Sequence, residues 1–241
     1  YPLWRIIESM RQLLSETIDH INDSFICQVR KRALFHLSEL ATDKLEWLVM
    51  EHYQFSIANC SLLQLAMQCT ATLEEKGVAE ELKRNLLEED GHALMYKNGM
   101  LEIGTDVNCR YPFAPTSRFL AKLQTLSTAG PSCALGAIYA TETAAIFEHQ
   151  LLDNICRELC SRRTIAYENS LIRHFHFIHL DGGVEQGHKD GLAVFVDMAR
   201  HQGSQTVTQI NHDEVSTGAF AAIEAMKLWW DALLAEILND N

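Results

Sequence analysis

Ala134-Leu-Gly-Ala-Ile-Tyr-Ala-Thr-Glu142 decides how the rest of this chain is read. Leu135, Ile138 and Tyr139 recur at helical spacing, and the same face continues through Ala145, Ile146 and His149. One carboxylate therefore sits on a face otherwise built for a core. Burying it is costly unless it is paired or bound to a cation. No Lys or Arg occurs between Lys122 and Arg157, so no local ion pair can offset that cost. The plainer alternatives are an exposed glutamate on a misjudged face, or an ion pair with a distant partner.

Working outward, Glu51 repeats the pattern, with Trp47, Leu48, Phe55 and Ala58 on its helical face. Its plainer reading is an ordinary surface acid, since Lys44 and Glu46 lie on the same segment. Two ExxH sequences accompany these lone glutamates: Glu89-Asp-Gly-His92 and Glu185-Gln-Gly-His188. Residues three apart share a helix face, so each pair offers a carboxylate and an imidazole to one point. In Glu88-Glu89-Asp90-Gly91-His92, Glu89 shares its face with Leu82, Leu86, Ala93 and Tyr96. Glu88 looks instead toward Glu81, Arg84 and Asn85, which makes Glu89 the inward residue. A helical Gly91 would cost on the order of 1 kcal/mol, which argues against a plain solvated turn.

Two ExxH pairs and two single glutamates form the ligand inventory of a carboxylate-bridged di-iron or di-manganese site in a helix bundle. The segment His174-Phe-His176-Phe-Ile-His179-Leu-Asp181 adds three histidines just before the second pair. His179 is the best placed as a further ligand, with Asp181 as its rival, while His176 and Tyr139 are candidates for outer hydrogen bonds that orient the ligands. The expected ligand set is thus Glu51, Glu89, His92, Glu142, His179, Glu185 and His188. Oxygen and imidazole donors without thiolate suit iron or manganese rather than zinc.

The remainder of the chain is helical in pattern. Helices are expected at 3–22, 25–40, 42 to 65 or beyond with an interruption near Asn59-Cys60-Ser61, 79–103, 116–128, 132–160, 164–179, 185–202 and 213–238. Residues 105–115 read as an irregular connection and candidate lid, Gly182-Gly183 as a break, and 205–210 as one extended run. No repeat, dinucleotide-binding glycine pattern or phosphate loop occurs. The expectation is an all-α bundle of about seven to nine helices in one domain over 1–241.

A net charge of -12 disfavours nucleic acid and anionic membranes as partners. No apolar run reaches the roughly 20 residues of a membrane span, and the first residues look like a trimmed start rather than a signal peptide. Seven scattered cysteines without a CxxC pair predict free thiols and a cytoplasmic protein.

Glu51, the Glu89/His92 pair about 40 residues on, Glu142 and the late His179/Glu185/His188 element together resemble the haem-oxygenase-like di-iron oxidases and oxygenases. Ala134–Glu142 also looks like that family's fourth-ligand helix. The resemblance spans about 140 residues in order and spacing. It departs from the family at the late element, which there reads HxxxDxxH, whereas His179 and His188 here are nine apart across two glycines. The resemblance implies two Fe2+ ions, O2 as co-substrate, an external electron donor, a loosely held late segment around 176–190 and a fold compatible with a homodimer. It implies C–H or C–N oxidation of a small amino-acid-like substrate, often in natural-product biosynthesis. Arg84, Arg110, Arg118 and Arg173 are candidates by chemistry to anchor a substrate carboxylate. The rivals are a ferritin-like di-iron protein and a metal-free, thiaminase-like helical protein that binds or hydrolyses a small molecule. True haem oxygenase activity, using His20 or His36, leaves the inward glutamates without a purpose.

Overall fold

The computed structural model describes residues 13–201 and 208–238. Among these, nine α-helices form: α1 Leu14–His36, α2 Thr42–Thr70, α3 Gly77–Glu89, α4 His92–Glu102, α5 Ala114–Leu126, α6 Pro131–Arg162, α7 Leu171–His179, α8 Val184–Asp197 and α9 His212–Leu238. A short 3-10 turn at Tyr167–Asn169 precedes α7. The described residues contain no strand, only an isolated parallel bridge between Arg200 and Asn211. The protein is all-α, as its apolar periodicity predicts. Residues 205–207 of the expected extended run, and the start of the expected helix at 3–22, lie outside the described residues.

α6 is the axis of the bundle. It packs against α1, α2, α7, α8 and α9, and residues 134–144 are buried on every face. An alanine- and glycine-rich sequence permits this, because small side chains let neighbouring backbones come close. A Cβ at Gly136 would lie 2.0 Å from the Val215 carbonyl oxygen, and one at Gly218 would lie 2.1 Å from that of Cys133. These reciprocal glycines set the tight contact between α6 and α9. α9 returns the favour with Trp229 and Trp230, both buried in the single connected core.

Several boundaries differ from the expectation. The helices expected at 3–22 and 25–40 are joined, since Asn22 turns inward and bonds the Ala140 carbonyl instead of breaking the helix. α2 runs unbroken through Asn59, whose side chain reaches across to Glu89. The helix expected at 79–103 is instead two: Gly91 adopts φ 88°, a left-handed conformation that ends α3 and starts α4. Gly91 is therefore a helix junction and not a mid-helix glycine. The Gly182-Gly183 break is present as a tight turn, with Gly183 at φ 74°. The segment expected to be loosely held around 176–190 is a helix–turn–helix, α7 followed by α8. All seven cysteines are free, and no described helix is long and apolar enough to cross a membrane.

Candidate metal centre

Six residues predicted as ligands converge where α3, α4, α6, α7 and α8 meet. The αL turn at Gly91 swings His92 back, so that its Nδ1 lies 3.3 Å from Glu89 Oε1 although the two residues end and begin different helices. On α8, Glu185 and His188 are one turn apart, and His188 Nδ1 lies 3.9 Å from both Glu185 Oε2 and Glu89 Oε1. From α6, Glu142 Oε2 is 3.1 Å from the same His188 nitrogen. From α7, His179 Nδ1 bonds Glu185 Oε1 at 2.7 Å. The four-residue turn at 180–183 absorbs the long His179–His188 spacing.

Two overlapping ligand groups share Glu89, each with donor atoms within 4.8 Å of one another: Glu89, His92 and His179, and Glu89, Glu185 and His188; His149, His179 and Glu185 form a further group that overlaps both. Glu142 completes the second through its contact with His188. Glu89 belongs to both groups, and Glu185 spans the gap between His179 and His188 with its two oxygens. Carboxylates so placed are suited to bridge two cations. Glu89 Oε1, His92 Nδ1 and His179 Nε2 are buried without hydrogen-bond partners. Such orphans are expensive in a folded core, and a cation between them would satisfy all three.

The charge pattern agrees. Burial pushes the Glu142 carboxyl up to about 7, with Glu185 and Glu89 adding to the effect and His188 opposing it. Burial opposes charge on His188, but Glu142, Glu185 and Glu89 outweigh it and raise the imidazole to about 9. Burial and the neighbouring His149 lower His179 to about 4. Burial disfavours an ionised Glu185 as well, yet hydrogen bonds from His149 and His179 hold it well below the usual carboxylate range. A proton on His188 thus stands where a metal's positive charge would otherwise lie. Behind it, His188 Nε2 lies 3.0 Å from Glu88 Oε2. Glu88 is gripped by Arg84, which also donates to the Gly187 carbonyl. This chain of contacts orients the ring from outside.

Not every expected residue comes to this centre. Glu51 is fully buried about 100° around α2 from His52, where Thr116 Oγ1 donates to its Oε2 at 2.6 Å and Arg110 lies 3.3 Å away, while its Oε1 has no hydrogen-bond partner. Burial raises its carboxyl, and both partners oppose the rise. The structure does not bring Glu51 to the six. Arg110 is spent on Glu51, Arg118 lies over an outer groove between α5 and α9, and Arg173 pairs with Glu168 and the exposed Asp181. Tyr139 donates to Asp19, away from the centre. His176 is buried 3.4 Å from His149, so it backs the site without facing it.

Three further residues join the site beyond those the sequence predicts. His149 Nε2 is 3.3 Å from Glu185 Oε1 and its ring stacks on His179 at 4.0 Å. Its position seven residues after Glu142, on the same face, is the signal that marks it. His52 and Glu148 line the adjoining cavity, of about 30 Å³, together with Phe55, Phe175 and the ligand carboxylates. On α2 the cavity-facing stripe is His52, Phe55, Ser56 and Asn59, the i, i+3, i+4, i+7 spacing of one helix face.

No curated protein matches the sequence. Among solved structures, a CADD-like protein of unknown function from Nostoc punctiforme PCC 73102 superposes with a TM-score of 0.74 at 22% identity, over 95% of this chain and 96% of that one. A domain of unknown function with a heme oxygenase-like fold from Shewanella denitrificans OS217 gives 0.61 at 19% identity, over 98% and 93%. A TenA homolog from Pseudomonas syringae pv. tomato str. DC3000 gives 0.67 at 11% identity, over 90% and 91%. These likenesses establish the heme oxygenase-like fold. A family model described as "Domain of Unknown Function with solved-structure structure (DUF3865)" matches residues 7–236, and the chain belongs to that family.

Proposed function

We propose that this protein is a non-haem di-iron oxidase or oxygenase that uses O2 to oxidise a small organic substrate. The observation that carries the reading is the pair of overlapping, buried ligand groups sharing Glu89, with orphaned donor atoms turned toward one another. Glu89, His92, His179, Glu185, His188 and Glu142 would hold the metals, and His149 would stand beside them. Iron bound there would supply O2 reduction and substrate oxidation, drawing electrons from an external donor. The chain's own part is to bury the site, to orient His188 from outside through Glu88 and Arg84, and to shape the cavity beside it. Mixed carboxylate and imidazole donors favour iron or manganese over zinc.

A carboxylate-bearing substrate anchored by arginine finds no support, because Arg84 is held by Glu81 and Glu88, Arg110 by Glu51 and Arg173 by Glu168, and Arg118 lies over the outer groove. The ferritin-like alternative is disfavoured by His179 and by the break between α7 and α8. A metal-free, thiaminase-like role leaves three buried donor atoms without partners.

The test is anaerobic Fe(II) titration with iron analysis, followed by an O2 pulse with an O2 electrode. About two irons per chain and O2 uptake that depends on them are expected. Failure to retain iron, or retention unaffected by His188→Ala and Glu89→Ala, would overturn the reading.

A further inference from the structure

Beyond the six ligands, the cavity has a second polar end that the metal reading does not use. His52 is buried in α2, with its Nε2 3.0 Å from Glu148 Oε2. The other Glu148 oxygen accepts a hydrogen bond from Trp230 Nε1 at 2.7 Å. Both carboxylate oxygens are therefore committed, one to an indole N–H and one to the imidazole. A carboxylate can only accept, so Nε2 of His52 carries the proton. Nδ1 is then left as a lone pair. It is buried and has no hydrogen-bond partner, although His52 lines the cavity. A buried acceptor left unmade is costly, and it belongs to a residue that lines the cavity.

The surroundings set the class of group that would satisfy it. Glu89, Glu142, Glu148 and Glu185 line this cavity, and no Lys or Arg does. Metal ions would neutralise the first, second and fourth, but Glu148 stands apart from them with its oxygens already occupied. The His52 end thus keeps a negative charge behind an acceptor nitrogen, flanked by the Phe55 ring and Trp229. From this geometry we infer that His52, oriented by Glu148 and Trp230, is the subsite that binds the amine or ammonium group of the substrate. The inference rests on the reading of this cavity as the substrate pocket of the metal centre, and it names the substrate as a nitrogen donor. A cavity of about 30 Å³ accepts such a head group rather than a whole ligand body. His52 is a specificity-determining residue here, and Glu148 is a positioning residue that selects its tautomer.

The experiment uses n-butylammonium and butyrate as probes, equal in chain length and opposite in charge. Each is titrated at pH 8 into metal-free and anaerobic Fe(II)-loaded protein, following tryptophan fluorescence, with iron content measured on the same samples. Trp229 and Trp230 lie 6.1 and 6.4 Å from the His52 ring and report locally. Butylammonium is expected to saturate and butyrate is not. His52→Phe should weaken butylammonium binding by about tenfold or more with iron content unchanged. Glu148→Gln provides the readout that a merely structural role would not move. Its amide N–H would donate to Nε2 and send the ring proton to Nδ1, so the preference should reverse toward butyrate. That variant decides the question even where His52→Phe fails to fold. Butyrate binding as well as butylammonium in the unaltered protein, or an unreversed preference in Glu148→Gln, would overturn the inference. Iron binding without amine binding sinks the subsite alone, whereas amine binding governed by His52 in protein that takes up no iron sinks only the di-iron reading.

Discussion

Glu89-Asp-Gly-His92 and Glu185-Gln-Gly-His188 are near copies in sequence, and they reach the same centre by different geometry. The second is one turn of α8, where helical spacing alone aligns carboxylate and imidazole. The first straddles two helices, and the left-handed Gly91 brings His92 back to Glu89. The outer surroundings differ as well. His188 is held from behind by Glu88 and Arg84, while no described residue supplies His92 with such a carboxylate. One motif thus yields a braced half and an unbraced half, joined by the carboxylates of Glu89 and Glu185.

The strongest test of that asymmetry removes a shared ligand. Glu89→Ala or Glu185→Ala should lower iron from about two per chain to near zero, because each carboxylate serves both halves. His92→Ala should leave about one. Glu51→Gln should leave metal content unchanged, as this carboxylate belongs to Thr116 and Arg110. Equal losses in Glu185→Ala and His92→Ala, by metal analysis after gel filtration, would mean that the halves are independent sites.

A weaker perturbation probes the brace. Glu88→Ala leaves every ligand in place, and it should reduce metal affinity by about 10- to 100-fold, the usual cost of losing an orienting partner. The loss should fall on one of the two binding steps in an Fe(II) or Mn(II) titration. Uniform weakening of both would show that Glu88 acts through the fold and not through His188.

Proton linkage separates the halves without mutation. In metal-free protein His188 is raised to about 9, so at pH 7 a metal must displace its proton, and affinity should climb with pH until about 9. His179, lowered to about 4, is already neutral at pH 7 and adds no such dependence. The sign for stability follows. A raised histidine pKa stabilises the metal-free fold below its ordinary value near 6.5, and that contribution is lost as pH rises through about 9. Calorimetry in two buffers of different ionisation enthalpy should register proton release at pH 7 that vanishes near pH 10.

Helices were legible because apolar spacing is a local property, and Glu142 was legible because no cation lies nearby in the chain. Glu51 shows where that logic ends. It and Glu142 look alike in sequence, each an acid on an apolar face. Yet Arg110 and Thr116, from a connection and a helix about 60 residues later, both hydrogen-bond Glu51 Oε2 and give this acid partners away from the centre. Long-range pairing of this kind leaves no trace in periodicity. Its neighbour His52 faces the cavity instead, about 100° around α2, and the stripe it forms with Phe55, Ser56 and Asn59 is mostly polar, so no apolar periodicity marks it and Asn59 reads as an interruption. The break at Gly91 was missed for a related reason: a glycine inside a helical pattern does not reveal whether its φ is negative or positive.

The glycines of the two motifs give the smallest and cleanest contrast. A Cβ at either Gly91 or Gly187 meets nothing within 4 Å, so sterics with neighbours drop out and only backbone conformation remains. Gly91 has φ 88°, where an L-residue is strained, and Gly91→Ala should cost about 1 kcal/mol. Gly187 lies inside α8, and Gly187→Ala should stabilise by about 0.5–1 kcal/mol, through helix propensity and a less free unfolded chain. Chemical denaturation of the metal-free variants at unchanged m-value reads both signs. Stabilisation by both substitutions would mean that α3 and α4 form one helix through Gly91. The two motifs would then be geometrically equivalent, and the division into a braced and an unbraced half would rest on Glu88 alone.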